Sequence, residues 1–315
     1  MPAHRRVVVT AATAALALLG LAATGAVPPT AAAQPAGFPQ RYVALGDSYA
    51  AGPLIPVQRL DRIGCQRSTR NYPAHLAAAL GIRDFTDVSC SGARTENMTT
   101  PQPVSLGTNP PQFEALTPDT DLVTVTISGN DIGFTDIFLT CARISSINPL
   151  GNPCERQATA SGTDIYQRRI ADVTPKVAGV LEGIRQRSPR ATTLLVGYLR
   201  ILPPAVGCYP VFPIARGDVP YLDGLEQQLT AMLAEQASDH GAVFVDAYAR
   251  SLGRDACQLP LVKWVEGTVP TSPAAPVHPN ALGMQAVASF ALDTLRELEL
   301  RELELRELAE AATRR

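Results

Sequence analysis

Tyr42-Val43-Ala44-Leu45-Gly46-Asp47-Ser48 is the stretch whose reading decides the fold. An apolar run that stops at a glycine and is followed by Asp-Ser predicts a short buried strand, Tyr42 to Leu45, with Ser48 on the turn that leaves it. In an open parallel sheet, ligand sites lie at the carboxyl ends of the strands, so Ser48 stands where chemistry is usually done. A serine hydroxyl is a poor nucleophile until a base takes its proton. Gly-Asp-Ser alone is commonly no more than a turn with the serine capping a helix. The remainder of the chain has to supply the base.

Working outward, Asn71 to Leu80 reads as a helix with Asn71 as its N-cap and Gly81 just past its end. Phe85 to Ser89 reads as a second strand. Pro101 to Pro118 reads as a Pro-rich loop. Asp121 to Ser128 is the strongest strand, rich in β-branched residues, and runs into Gly129-Asn130-Asp131. Cys141 to Gly162 reads as a loop. Ile165 to Arg187 carries Ile170, Val173, Val177, Val180, Leu181 and Ile184 at helical spacing. Thr192 to Tyr198 is a fourth strand, Tyr221 to Ser238 a helix and Ala242 to Ala247 a fifth strand. Asn280 caps the last helix. Five strands alternating with helices predict an α/β fold, a parallel sheet covered on both faces. No G-x-G-x-x-G and no P-loop supports a nucleotide-binding variant.

Both ends differ from this body. Residues 1–33 run from His4-Arg5-Arg6 through an apolar stretch to Ala31-Ala32-Ala33, the order of a secretory signal peptide, with Arg5-Arg6 compatible with either the general or the twin-arginine route. Export and no stable membrane span after signal removal are expected. Residues 295–315 repeat Leu-Arg-Glu-Leu-Glu, with leucines alternately three and two apart. That spacing scatters them round a helix, so a charged helical tail without a coiled-coil seam is expected. The domain is expected over 38–294. A net charge of −2 without a basic run in the body argues against nucleic acid as partner. Six cysteines behind an export signal point to disulfides, and none has the C-x-x-C spacing of a zinc or redox site. Several connectivities are open; sequential pairing, Cys65–Cys90, Cys141–Cys154 and Cys208–Cys257, keeps each loop local.

Ser48, Gly92 and Asn130 fall at strand ends, and His278 falls in the last loop. Ester hydrolysis needs such a set: Ser48 attacks, His278 takes and returns the proton, and the N–H groups of Ser48 and Gly92 with the Asn130 amide stabilise the oxyanion. The blocks Gly46-Asp47-Ser48, Cys90-Ser91-Gly92-Ala93, Ser128-Gly129-Asn130-Asp131 and Val277-His278-Pro279-Asn280 resemble those of the SGNH (GDSL-type) hydrolase family, and the cysteines and the Trp264 loop resemble its secreted actinomycete-type lipase/esterase branch. The resemblance implies a flavodoxin-like three-layer sandwich, three sequential disulfides, no metal or other cofactor, and hydrolysis of carboxylic esters. The absence of G-x-S-x-G separates the chain from the α/β-hydrolase fold.

The family often has Asp three residues before the histidine; here that position is Ala275. The resemblance suggests that the Ala275 carbonyl orients His278, giving a Ser–His dyad. Asp246 is the other carboxylate weighed for that role, with hydrogen bonding at its strand end as the plainer use. Asp47 and Asp131 are expected to brace their turns. His75 and His240 are expected to be structural, and Trp264 either packs or gates an acyl pocket. The expected enzyme is a secreted, monomeric serine esterase or lipase acting on lipid-like esters. Phospholipase A or carbohydrate O-acetyl esterase activity at the same site is the alternative, and a non-catalytic extracellular binding module is the reading from another class. The apolar loops around Leu54-Ile55-Pro56 and Val211-Phe212-Pro213-Ile214 favour an acyl substrate.

Overall fold

Leu122, Val123, Thr124, Val125 and Thr126 are all buried, which a strand achieves only when both faces of its sheet are covered. The computed structural model describes residues 39–314; the N-terminal stretch read as an export signal lies outside the described residues. β1 (Arg41–Gly46) leads through a one-turn helix α1 (Ser48–Ala51) and α2 (Tyr72–Leu80) to β2 (Asp84–Asp87). A hairpin of β3 (Gln102–Val104) and β4 (Gly107–Asn109) precedes β5 (Leu122–Thr126). Then come α3 (Gly129–Ile132), α4 (Phe134–Ile144), α5 (Pro153–Ala158), α6 (Ile165–Arg187), β6 (Thr192–Val196), α7 (Asp218–Asp239), β7 (Val243–Val245), α8 (Ala247–Arg250) and α9 (Ala281–Thr313).

The main sheet is parallel throughout, in the order β2-β1-β5-β6-β7. Helix α2 packs on α9, and α6 on α7. With right-handed crossovers these pairs cover opposite faces, which makes three layers. Strand order reverses between β1 and β5, the switch point at which such sheets open a crevice. Gly46, the last residue of β1, lies in register with Thr126, the last of β5. The segments that carry Ser48 and Asn130 therefore leave the sheet side by side.

Two stretches depart from the loops predicted for them. Residues 101–118 contain the β3–β4 hairpin, whose turn uses Gly107 at φ 149°. Residues 141–162 are mainly helical, since α4 begins at Phe134 and buries Phe134, Ile137, Phe138 and Cys141, a helical spacing that starts seven residues before the stretch read as loop. Disulfides join Cys65 to Cys90, Cys141 to Cys154 and Cys208 to Cys257. All six cysteines lie in segments leaving the carboxyl ends of strands, so the crosslinks staple the long connections on that one edge. At the far end α9 runs on through the Leu-Arg-Glu repeat with Leu300, Leu303, Leu305 and Leu308 exposed, as the alternating spacing requires.

Gly46 sits at φ 144°, and a Cβ there would come within 2.6 Å of the Thr126 carbonyl oxygen and 2.9 Å of the Ala50 side chain. Neither neighbour can yield, because one is sheet backbone and the other lies in the turn holding Ser48. Gly46→Ala is expected to lower unfolding stability by about 3 kcal/mol through combined strain and clash, read from urea unfolding; a loss below about 0.5 kcal/mol would contradict this account of the turn.

Candidate active site

Asp47 caps α1 by accepting the Tyr49 N–H at 2.9 Å, and the Asp47 N–H donates to the Thr126 carbonyl at 2.9 Å. These two bonds set Ser48 as the first residue of α1, directly beyond the sheet edge. Its Oγ lies 2.8 Å from His278 Nε2, and His278 Nδ1 lies 2.7 Å from the Pro276 carbonyl. A carbonyl can only accept, so the proton sits on Nδ1 and the Nε2 lone pair faces the serine hydroxyl. The orienting carbonyl is thus that of Pro276 and not of Ala275. Val277 adopts φ 59°, an uncommon conformation for a β-branched residue, and turns the chain back so that the ring reaches the carbonyl two residues upstream. Tyr49 secures that turn by donating its hydroxyl to the Val277 carbonyl at 2.7 Å.

Among the described residues the N–H groups of Ser48 and Gly92 have no hydrogen-bond partner. Gly92 stands at φ 78° in a turn tied to β1 through the Cys90 N–H, which donates to the Gly46 carbonyl at 3.0 Å. Asn130 donates from Nδ2 to the Ala93 carbonyl at 2.9 Å, which fixes the amide beside the Gly92 turn and leaves its second N–H to donate elsewhere. The strand ends thus present free or half-free donors beside an imidazole-paired hydroxyl, which is what nucleophilic attack on a carbonyl needs.

A buried framework joins these loops. Tyr198, just beyond β6, donates its hydroxyl to Asp47 Oδ2 at 2.7 Å and accepts the Gly129 N–H at 2.6 Å. One phenol therefore links the serine turn to the asparagine turn. Gln112 brackets Gly46, accepting its N–H at 2.7 Å and donating to its carbonyl at 2.9 Å. Asp131 accepts the Thr95 N–H and hydroxyl at 3.0 and 2.6 Å, bracing the Asn130 turn as the sequence predicts. Tyr198 stands at the end of a strand legible in the sequence; nothing in the spacing singles out Gln112.

Burial pushes the Asp47 carboxyl up to about 7, against hydrogen bonds from Tyr198 and the Tyr49 N–H that favour its charged form. Burial also holds His278 below the ordinary imidazole value, partly offset by the Pro276 carbonyl, which favours the charged ring. Asp246 caps α8 through the Ala249 N–H, the plainer of its two expected uses. Glu266 accepts from Asn280 Nδ2 at 2.9 Å and pairs with Lys263 at 2.8 Å, while its N–H donates to the His278 carbonyl at 2.9 Å. Trp264 packs on Phe290 with Arg254 over its ring, a packing role. His240 caps the C-terminus of α7. No metal-like group of His, Cys, Asp or Glu occurs among the described residues.

The GDSL-like lipase/acylhydrolase family model matches residues 44–286. The chain is 38% identical over 301 residues to "Lipase 2" of Streptomyces coelicolor, covering 93% of this chain and 98% of the relative. It is 30% identical to a lipase of Streptomyces rimosus, with 86% and 90% covered. The crystal structure of phospholipase A1 from Streptomyces albidoflavus superposes with a TM-score of 0.68 at 26% identity, over 81% of this chain and 99% of that one. The extracellular lipase of Streptomyces rimosus superposes with a TM-score of 0.63, also at 26% identity, with the same coverage.

Tyr198→Phe removes the hydroxyl while keeping the ring, leaving Asp47 Oδ2 and the Gly129 N–H without that partner. A stability loss of about 2 kcal/mol is expected for the two buried polar groups, measured by denaturant unfolding. An unchanged midpoint would mean that the phenol does not hold the two turns together.

Proposed function

Because the chain belongs to the GDSL-like lipase/acylhydrolase family and is an ester hydrolase, we propose that it is an exported lipase or esterase working through an acyl-enzyme on Ser48 with His278 as base. The observation that carries this reading is the 2.8 Å contact of His278 Nε2 with Ser48 Oγ, on a ring whose Nδ1 is held by a carbonyl. In the proposed cycle Nε2 takes the hydroxyl proton as Oγ attacks the ester carbonyl. The Ser48 and Gly92 N–H groups and the Asn130 amide receive the oxyanion. The imidazolium then protonates the departing alcohol, and water repeats the sequence on the acyl-enzyme.

A carbonyl at Nδ1 orients the ring but stabilises its cation less than a carboxylate does. That fits a dyad in which burial already favours neutral imidazole. Three disulfides in the long loops support export to an oxidising compartment. No helix among the described residues is long and apolar enough to cross a membrane.

Lipid-like esters are the proposed substrates. A cavity of about 380 Å³ is lined by Arg94, Glu96, Met98, Phe113, Asp131 and Lys176 among others. Arg94 lies two residues past Gly92, and Asp131 follows Asn130. The likeness to a Streptomyces phospholipase A1 favours, as a second reading, phospholipase activity at the same site.

The test is hydrolysis of p-nitrophenyl esters from acetate to palmitate and of phosphatidylcholine. Ser48→Ala and His278→Ala are each expected to lower kcat by at least about a thousandfold, and Asn130→Ala by about a hundredfold. Activity surviving Ser48→Ala would refute the mechanism. The pH profile follows from His278: the base must be neutral, and burial disfavours its charged form, so the acid limb of kcat/KM is expected to have its midpoint below pH 6.5. A midpoint above that value would mean that an acidic partner supports the ring.

A further inference from the structure

The exposed aliphatic side chains are unevenly placed. At the amino edge of the sheet the connections at 81–83, 188–191 and 240–242 bury Ile82 and expose Arg83 and Arg190. The carboxyl edge is different. Within the ten residues from Leu54 to Ile63, the side chains of Leu54, Val57, Leu60 and Ile63 are between 51% and 81% exposed. Isolated exposed aliphatics are ordinary, but four on one short loop are not.

That loop is held rigidly against the candidate site. The Pro53 carbonyl accepts the Ala275 N–H at 3.2 Å, which joins it to the loop carrying His278. The Ser68 N–H donates to the Ala51 carbonyl at 2.8 Å, the Thr69 N–H to the Val57 carbonyl at 2.9 Å, and Cys65 is crosslinked to Cys90. The apolar groups are thus displayed on a loop that runs from the helix of Ser48 to α2 and is stapled to the Gly92 turn through Cys65–Cys90.

The charge on this loop also departs from that of the chain. Residues 53–70 hold Arg59, Arg62, Arg67 and Arg70 against Asp61 alone, whereas the whole chain carries −2. Arg67 is buried, donating to the Ser89 carbonyl and Asp61, and Arg59 is paired with Asp61. Arg62 and Arg70 are exposed, and neither takes part in a salt bridge among the described residues. Aliphatic side chains that can enter an acyl layer, interspersed with cations that can meet phosphates, form the chemistry of a lipid-surface contact.

We propose that the loop Leu54–Ile63, with Arg62 and Arg70, docks the enzyme on an anionic phospholipid surface and so brings the Ser48 site to substrate presented there. This rests on the ester-hydrolase reading for its purpose, but the docking is measured without catalysis. A protein partner is the competing occupant. Continuity with the mouth of an ester site and the excess of arginine both favour the lipid surface.

The test is co-sedimentation of the Ser48→Ala protein with vesicles of phosphatidylcholine alone or with phosphatidylglycerol, across a range of salt. Val57→Asp/Leu60→Asp and Arg62→Ala/Arg70→Ala are compared on the same chain, so that any affinity contributed by the N-terminal segment cancels. Anionic vesicles are expected to bind better than neutral ones, with binding weakening as salt rises. Each arginine is worth about fivefold in vesicle affinity and the aspartate pair at least about tenfold. On the active chain, the same substitutions are expected to slow hydrolysis of vesicle lipid and leave hydrolysis of soluble p-nitrophenyl acetate within about twofold. Wild-type binding by either double variant overturns the proposal, as does equal binding to neutral vesicles. A wild type that binds vesicles but cleaves no ester would refute the proposed function and leave the docking standing.

Discussion

The peptide of Gly46 is the point on which the site depends. Its carbonyl accepts the Cys90 N–H and Gln112 Nε2, its N–H donates to Gln112 Oε1, and the next N–H, that of Asp47, donates to Thr126. Backbone groups of three segments and the side-chain amide of Gln112 converge around one residue that can have no side chain, since a Cβ would strike the Thr126 carbonyl. The Ser48, Gly92 and Asn130 turns all leave from this junction. Their relative positions are therefore set by the pairing of β1 with β2 on one side and β5 on the other in the parallel sheet.

Around the junction the protein uses phenols where flexible side chains could have served. Tyr198 ties the serine turn to the asparagine turn, and Tyr49 ties the serine helix to the carbonyl of Val277 beside the histidine. The rings also pack on one another, 5.0 Å between centroids for Tyr49 and Tyr198 and 5.1 Å for Tyr49 and His278. A ring is held by packing on both faces while its hydroxyl fixes a distance, so each tyrosine gives position at small entropic cost. The stapled loops serve the same end farther out. The three disulfides crosslink the connections that leave the carboxyl ends of the strands, one of them joining α4 to α5.

Much of this was legible in the chain. The apolar runs ending in Gly-Asp-Ser and Gly-Asn-Asp read as strands because parallel strands are buried on both faces, and Asn71 and Asn280 announced their helices through capping. The three blocks at strand ends and the one in the last loop carried the family, and the structure brings the first and last of them together across 230 positions. The β3–β4 hairpin escaped because its strands are three residues long and one contains proline. Helix α4 escaped because its start at Phe134 directly follows the turn after Asn130, with only Gly133 between α3 and α4.

The residue types, their order along the chain and the alternation of strands with helices are properties of the sequence. They carry the α/β class and place Ser48, Gly92 and Asn130 at strand ends, with His278 in the last loop. The tertiary structure decided which carbonyl faces Nδ1. That choice belongs to Pro276 because Val277 is held at positive φ by Tyr49, a residue 228 positions away. It likewise decided the roles of Tyr198 and Gln112, and which aliphatic residues lie bare on the carboxyl edge. Such features depend on contacts between segments distant in sequence, and no local periodicity records them.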